Sequence, residues 1–488
     1  MRKRIRQAAL LQGVAPARVW SVRFDDTTSS PVGVRADLAR GLVAEVAVGN
    51  AKVRNDFDNI PIFDRPLFNA TWDESTGRWC DFVGRGEEGF TLKPTAANRE
   101  VLYRSVPFWY QLALSDAGRI TRVSVSDRPL EGYCLAPMFR DGNTPVYRPA
   151  FEAAMDYKDR KMHSRAGLTP YMGEPGIILN MMRDVSPKAR FETAAEWFSD
   201  YLLLLVEFAT CNLQGVMHGY CGEETVFFNA RENSTEYPTG LYCSEKPFFE
   251  KGERVTLYVD NGMGEYYAQG SYAVADIVTV TGVGYRVEFS GLDVQELMRE
   301  TRAWKCSCEV VKTGTALSVV TNASSGSASE SLLAPIVWRG KENPWGNVPN
   351  LLYDVGFKMT RGGDIQFCHA AKGREICFNE ENAYLPEGEL LTPPASGEGF
   401  IMGMALDKAG DFLYPISFAD AAPDKYFATR VDIPRIAYMD EDTVCAVLVG
   451  GGCWREVATN HATMEVVAAD SEGGGWNRVG GRMILEET

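Results

Sequence analysis

Histidine, paired cysteine motifs, basic runs and long apolar stretches are all scarce in this sequence, and each scarcity removes a class of function. The four histidines, His163, His218, His369 and His461, stand far apart, and the eleven cysteines include no CxxC pair. The one close couple is Cys306 and Cys308 in KCSCE. A zinc site needs convergent ligands that this spacing does not supply, so no metal ligands are assigned. The cysteines read as buried free thiols of a protein folded in a reducing cytoplasm. Basic residues form no run beyond the opening MRKRIR, and Lys+Arg 50 against Asp+Glu 65 leaves a formal net charge of -15. Such a chain repels phosphate backbones and anionic lipid, so nucleic acid is not an expected partner. The longest apolar run, WFSDYLLLLVEFATC, is too short to span a bilayer and contains Glu207, so no membrane insertion is expected. In MRKRIRQAALLQGVA, Gln12 and Gly13 interrupt what would be the apolar part of a secretion signal, and no cleaved signal is expected.

What is present is apolar material for a large core. Of the 488 residues 45% are hydrophobic, enough for about two or three domains or one large domain with insertions. From Val19 to about Leu114, short segments with period-two patterning (VWSVRF, GLVAEVAVG, ATWD, GRWCDFVG, EVLYRSVPFWYQLAL) predict strands. One long helix is predicted in FETAAEWFSDYLLLLVEFATCN, where Ala195, Phe198, Leu202, Leu205 and Phe208 follow the helical period and Thr193 with Glu196 forms part of a cap. A shorter helix is expected over PAFEAAMDY from Pro149. Between about Lys246 and Glu330, GERVTLYVD, VADIVTVTGVGYRVEFSG and TALSVV read as a small inserted β subdomain, with a helix in LDVQELMRETRAWKC and a flexible closing loop, TNASSGSASE. Beyond Leu333 the density of Gly, Pro, Trp and Asn predicts a loop-rich fold.

Isolated chemical motifs are weak. Gly282 and Gly284 in VTGVGYR lack the third glycine and following helix of a dinucleotide loop. Asp260 and Asn261 in YVDNGMGE lack the alternating acidic ligands of a calcium loop, and a hairpin turn is expected there. His218 and Cys221 in MHGYCGEE have no evident orienting group. In WRGKENPWGNVPNLL, by contrast, Trp338, Trp345 and Pro344 offer bulk for a core, while Glu342, Asn343 and Asn347 can hydrogen-bond turn backbone.

The last stretch, GGGCWREVATNHATMEVVAADSEGGGWNRVGGRM, sets a mixed row of side chains between glycine clusters and two tryptophans, Trp454 and Trp476. No catalytic set is recognisable in it. Together, ENPWGN (342–347) and GGGCW…GGR (450–482) resemble the C-type-lectin-like fold of the formylglycine-generating-enzyme type, as found in bacteriophage tail-tip proteins and in the variable proteins of diversity-generating retroelements. SSPVGVRAD, NDFDNIPIF (55–63), LYRSVPFWYQ (102–111) and AEWFSDYLLLLVEFATCNLQ are similar to phage tail proteins carrying such a domain.

The resemblance implies an α+β fold: a β-rich N-terminal tail-attachment region over 1–125, a first part of the lectin-like domain over 126–245, an inserted β subdomain over 246–330, and a C-terminal part over 331–488 carrying the binding face. It implies a structural frame of Glu342, Asn343, Trp345, Asn347, Gly451, Gly452, Trp454, Trp476 and Arg482, with Gly480 and Gly481 matching the closing pattern. Ligand-binding positions would be Cys453, Arg455, Glu456, Thr459, Asn460, His461, Thr463 and Glu465. Strand alternation would turn Ala462, Met464 and Val466 inward and His461, Thr463 and Glu465 outward. Glu456, Met464, Glu465 and Glu472 depart from the pattern, because an asparagine codon altered only at its adenines cannot encode them.

The implied function is that of a phage or prophage tail receptor-binding protein. It would recognise a protein or glycan on a bacterial host surface, sit in the virion tail with other tail proteins, and form a homo-oligomer, a trimer by analogy. The chain would be made in the host cytoplasm. No cofactor or catalysis is expected, with room left for a structural calcium ion. The alternatives are a structural tail component without receptor recognition, and an enzyme of the formylglycine-generating type. The latter uses two cysteines four residues apart after the Gly-Gly motif, whereas Cys453 is the last cysteine here.

Overall fold

Short alternating segments build most of the described chain. The computed structural model describes residues 16–487 except 141, 174, 220–224, 232–239, 245, 248, 250, 253, 261–265, 293–303, 309, 322–323, 330–333, 349, 361–362, 371–383, 396–397, 422–428, 433–443, 450–463 and 468–479. Strands hold 40% of the chain and helices 11%, which makes it β-rich, in the α+β or mostly-β class.

In Val19–Arg23, Trp20, Ser21 and Val22 are buried in succession and Arg23 is exposed, so both faces of the strand are covered. It lies in a five-stranded antiparallel sheet in the order Val34–Asp37, Val19–Arg23, Ile120–Ser126, Trp109–Leu114, Cys134–Leu135. EVLYRSVPFWYQLAL divides near Pro107, which has no amide hydrogen to give a ladder. Arg99–Ser105 joins a second sheet, in the order Val146–Pro149, Arg99–Ser105, Leu67–Asp73, Arg78–Gly84.

The long helix runs Ala194–Phe208. The Thr193 hydroxyl accepts from the Glu196 amide (3.3 Å) and the Glu196 carboxylate accepts from the Thr193 amide (2.9 Å), closing a reciprocal cap, and the helix stops at left-handed Ala209. Phe198, Leu202 and Leu205 are fully buried, and so are Ser199 and Glu207, so the helix is enclosed on nearly every side. It joins Val22, Tyr110 and Val125 of the first sheet to Leu352, Phe357 and Phe367 in a single core. Each such side chain contributes about 1.5–3 kcal/mol by leaving water.

Leu352 and Phe357 belong to Asn350–Met359, in an eight-stranded sheet in the order Tyr384–Pro386, Ile365–Ala370, Asn350–Met359, Val444–Val449, Met464–Val467, Thr429–Asp432, Glu398–Leu406, Leu413–Ala419. Between helix and sheet the chain makes a closed six-stranded barrel: Thr225–Arg231, Gly240–Cys243, Gly284–Phe289, Tyr266–Val280, Arg254–Asp260, Trp304–Cys308 and back to the first. The barrel has its own core, including Phe228, Leu241, Val255, Leu257, Val287 and Phe289. The Val280 to Gly284 connection is a hairpin turn with Gly282 at φ 78°. The turn expected in YVDNGMGE lies outside the described residues.

Three local expectations need correction. PAFEAAMDY forms no helix: Phe151, Glu152, Ala153 and Ala154 are all buried in succession, leaving no exposed helical face, and Ala154–Asp156 pairs with Lys161–His163. TNASSGSASE is not simply a loop: Ser325–Ser327 pairs with Ile336–Trp338 on one side and, in parallel, with Ala47–Val48 on the other. Small residues allow this, since a Cβ on Gly326 would stand 2.5 Å from the Ala47 carbonyl oxygen. TALSVV forms no strand but a short helix, Thr315–Val319, whose amino end meets the Glu342 carboxylate. The helix expected in LDVQELMRETRAWKC lies outside the described residues, apart from its last part in the strand Trp304–Cys308.

Candidate functional site

Segment 338–347, WRGKENPWGN, is buried along nearly its whole length, and its polar side chains are almost all partnered. The first part runs through the strands Ile336–Trp338 and Lys341–Glu342, which pair with each other. Trp338 donates its indole N–H to a Glu207 carboxylate oxygen at 2.8 Å, and Arg339 donates to both oxygens of that carboxylate at 2.7 and 2.8 Å. Asn55 adds a further donor at 2.8 Å. Burial alone would raise the Glu207 carboxyl, but Arg339, Asn55 and Trp338 outweigh it and hold it below the usual carboxylate range. Lys341 bridges Glu192 at 2.5 Å and Asp200 at 3.0 Å, and Asp200 also pairs with buried Arg65.

The second part holds loops. The Glu342 carboxylate accepts from the amides of Gly314 (2.6 Å) and Leu317 (2.8 Å) at the start of the short helix. Asn343 accepts from the Ile336 amide at 3.2 Å and donates to Glu152 at 3.3 Å. Trp345 donates to the Met217 carbonyl at 2.7 Å. Asn347 meets both the amide (2.7 Å) and the carbonyl (3.1 Å) of Val311 and donates to Glu152 at 2.5 Å. Met217 precedes the barrel and Val311 follows it, so Trp345 and Asn347 clasp both stems of that insertion.

Arg482 comes to the same place from the far end of the chain. Its side chain is 1% exposed, and its guanidinium donates to the main-chain carbonyls of Ala150 (3.3 Å), Asn343 (2.9 Å) and Glu342. Gly480 bridges Asn350, and its carbonyl accepts from the Leu351 amide at 3.2 Å. Asn350 is also the partner of Val449. Val449 and Gly480 therefore stand beside one residue, Asn350, while Met464–Val467 between them in sequence is itself a strand of the sheet.

Of the frame residues inferred from the sequence, Glu342, Asn343, Trp345, Asn347 and Arg482 thus converge. Gly451, Gly452, Trp454 and Trp476 lie outside the described residues, as do the expected ligand-binding positions Cys453, Arg455, Glu456, Thr459, Asn460, His461 and Thr463. Glu465 lies in Met464–Val467, between Val444–Val449, where it is opposite Leu448, and Thr429–Asp432, where it is opposite Asp432. Sequence reasoning missed Glu152, Glu192, Asp200 and Glu207 as partners of the frame. The available signal was Asp200 and Glu207 within an apolar helix, since a carboxylate there needs a buried partner.

Elsewhere, a cleft of about 70 Å³ opens where loop 24–31, turn 118–120 and strand Glu398–Leu406 meet Tyr201 and Cys211. Burial pushes the Cys211 thiol up to about 12, which removes it as a nucleophile at neutral pH. Burial also lowers the His218 imidazole, and Cys221 is outside the described residues. Among the described residues, no group of three or more His, Cys, Asp or Glu side chains is placed to hold a metal ion. None of the described helices is long and apolar enough to cross a membrane. No protein-family model matches the chain, and no curated protein does so.

Proposed function

We propose that this chain is a receptor-binding protein of a phage or prophage tail, with a C-type-lectin-like domain that presents segment 450–479 to a ligand on the bacterial host surface. The observation that carries the reading is the closure of that segment on Asn350, which pairs with Val449 and bridges Gly480. Arg482 then locks the returning end onto the Glu342 and Asn343 carbonyls. Because these anchors are main-chain pairings and one buried arginine, they do not depend on which side chains stand between them. A rigid support under exchangeable side chains suits recognition.

In this reading Arg455, Glu456, His461, Thr463 and Glu465 contact the receptor, and the β-rich N-terminal region attaches to the tail. Several copies in a homo-oligomer, a trimer by analogy, multiply weak single-site contacts through effective concentration. The protein performs no catalysis. Binding of the purified, fluorescently labelled chain to a panel of intact bacterial cells tests this, alongside a variant with those five residues replaced by Ser. Strain-selective binding that the variant loses supports recognition by the segment. Equal binding by both, or none, would favour a structural tail component instead.

A further inference from the structure

A buried chain of ions runs from Arg65 through Asp200, Lys341 and Glu192 to Arg482, whose Nε lies 3.9 Å from Glu192. Beyond Arg482 stand Glu152 and Glu342, both about 1–2% exposed and both under the field of that guanidinium. The Glu342 amide donates to the Ala150 carbonyl at 2.9 Å, which holds the two carboxyl-bearing segments together. Among these described residues the cations Arg65, Lys341 and Arg482 face the carboxyls of Asp200, Glu192, Glu152 and Glu342, one more than they can neutralise. An uncompensated charge sealed from water costs several kcal/mol, so a proton is the natural complement.

The hydrogen bonds locate that proton. Glu152 Oε2 accepts from Asn343 and Asn347, while Oε1 is buried with no hydrogen-bond partner among the described residues. A metal cation suits the site poorly, because both Asn side chains turn their amide nitrogens, not their oxygens, toward Glu152. Burial pushes Glu152 up to about 7 and Glu342 up to about 8, in spite of Arg482.

We propose that Glu152, beside Glu342 and Arg482, binds one proton on its Oε1, and that loss of this proton to water in mildly alkaline solution loosens the stem of the barrel. Glu152 orients Asn347 against Val311, and Glu342 caps Gly314 and Leu317, so both carboxyls act on the chain where it returns from the barrel. Ionisation of both sets two negative charges beside a single arginine. The other charges bearing on them, Glu192, Lys341, Asp200 and Arg65, are already paired.

Hydrogen exchange at the Val311, Gly314 and Leu317 amides, corrected for intrinsic exchange, tests this on the full chain between about pH 6 and about pH 9. Protection should fall by up to about ten-fold per pH unit once the proton is released, and Glu152→Gln, which fixes that side chain neutral, should abolish the slope. No slope in the native chain, or the same slope in the variant, would overturn the proposal. Infrared titration of the native chain gives an independent reading. Burial also raises Asp354 to about 7, so the band is read as a difference: a buried carboxylic acid C=O band that disappears over this range in the native chain and is lost in Glu152→Gln supports the bound proton, and the lack of such a difference at neutral pH overturns it.

Discussion

The guanidinium of Arg482 donates to the main-chain carbonyl of Glu342, joining the end of the chain to the turn that clasps the barrel stems. Removing that side chain takes the guanidinium donor from the carbonyls of Glu342 and Asn343, leaves Ala150 with only the Glu342 amide, and buries unbalanced carboxyls. Arg482→Ala should lower the unfolding free energy by about 3–5 kcal/mol. Arg482→Lys should recover only part of it, since an ammonium keeps the charge but not the planar fork. Urea denaturation measures both, and a loss in Arg482→Ala below about 1 kcal/mol would mean the frame closes without it.

Trp345 is nearly fully buried, and its N–H serves the Met217 carbonyl. Trp345→Phe keeps an aromatic ring but orphans that carbonyl, at an expected cost of about 1–3 kcal/mol. Exchange protection should fall at residues flanking Met217 more than in the five-stranded sheet. Uniform loss across the molecule would contradict a local clasp.

Gly326 separates strand from linker. Ser325–Ser327 lies against Ala47, so Gly326→Ala forces two backbones apart and should cost about 1–3 kcal/mol by thermal or urea unfolding. A mobile linker would absorb the methyl group with no measurable change.

Stability should peak on the acid side of neutrality. Burial works to raise Glu196 and Glu207, but Arg148 and Arg190 around the first, and Arg339 with its neighbours around the second, hold both below their usual value near 4.5. Their stabilisation is complete above that value and is lost as pH falls through their folded pKa. Glu152 and Glu342 have the opposite sign: their raised pKa makes the folded state bind protons more tightly, so stability declines as pH rises from about 4.5 through about 7 to 8. The melting temperature should therefore be highest near about pH 5 and lower at about pH 8. A maximum at alkaline pH would show that these carboxyls do not govern the profile.

Much of the local structure could be read from the residues. Thr193 and Glu196 announce the helix cap because both partners of a capping box lie within one turn, and the strand around Val255 announces itself because a half-buried strand repeats every two residues. PAFEAAMDY and TALSVV misled for one reason. Local propensity in such short stretches is worth little beside tertiary partners: Asn343 and Asn347 on Glu152 in one case, Glu342 at the helix start in the other.

The sequence by itself determined that the chain has a large core, a long helix packed on sheet, a β-rich N-terminal region, and a turn whose Glu and Asn side chains serve backbone; the eight-stranded sheet beyond Leu333, where Gly, Pro, Trp and Asn predict loops, was not legible in it. Composition, period and turn chemistry are local quantities, so they survive in one dimension. Only the tertiary structure decided that Glu207 would balance Arg339, that Trp345 and Asn347 would clasp Met217 and Val311, and that Val449 and Gly480 would meet at Asn350. Those pairings join residues remote in sequence, and burial of a charge specifies that a partner must exist without specifying where in the chain it stands.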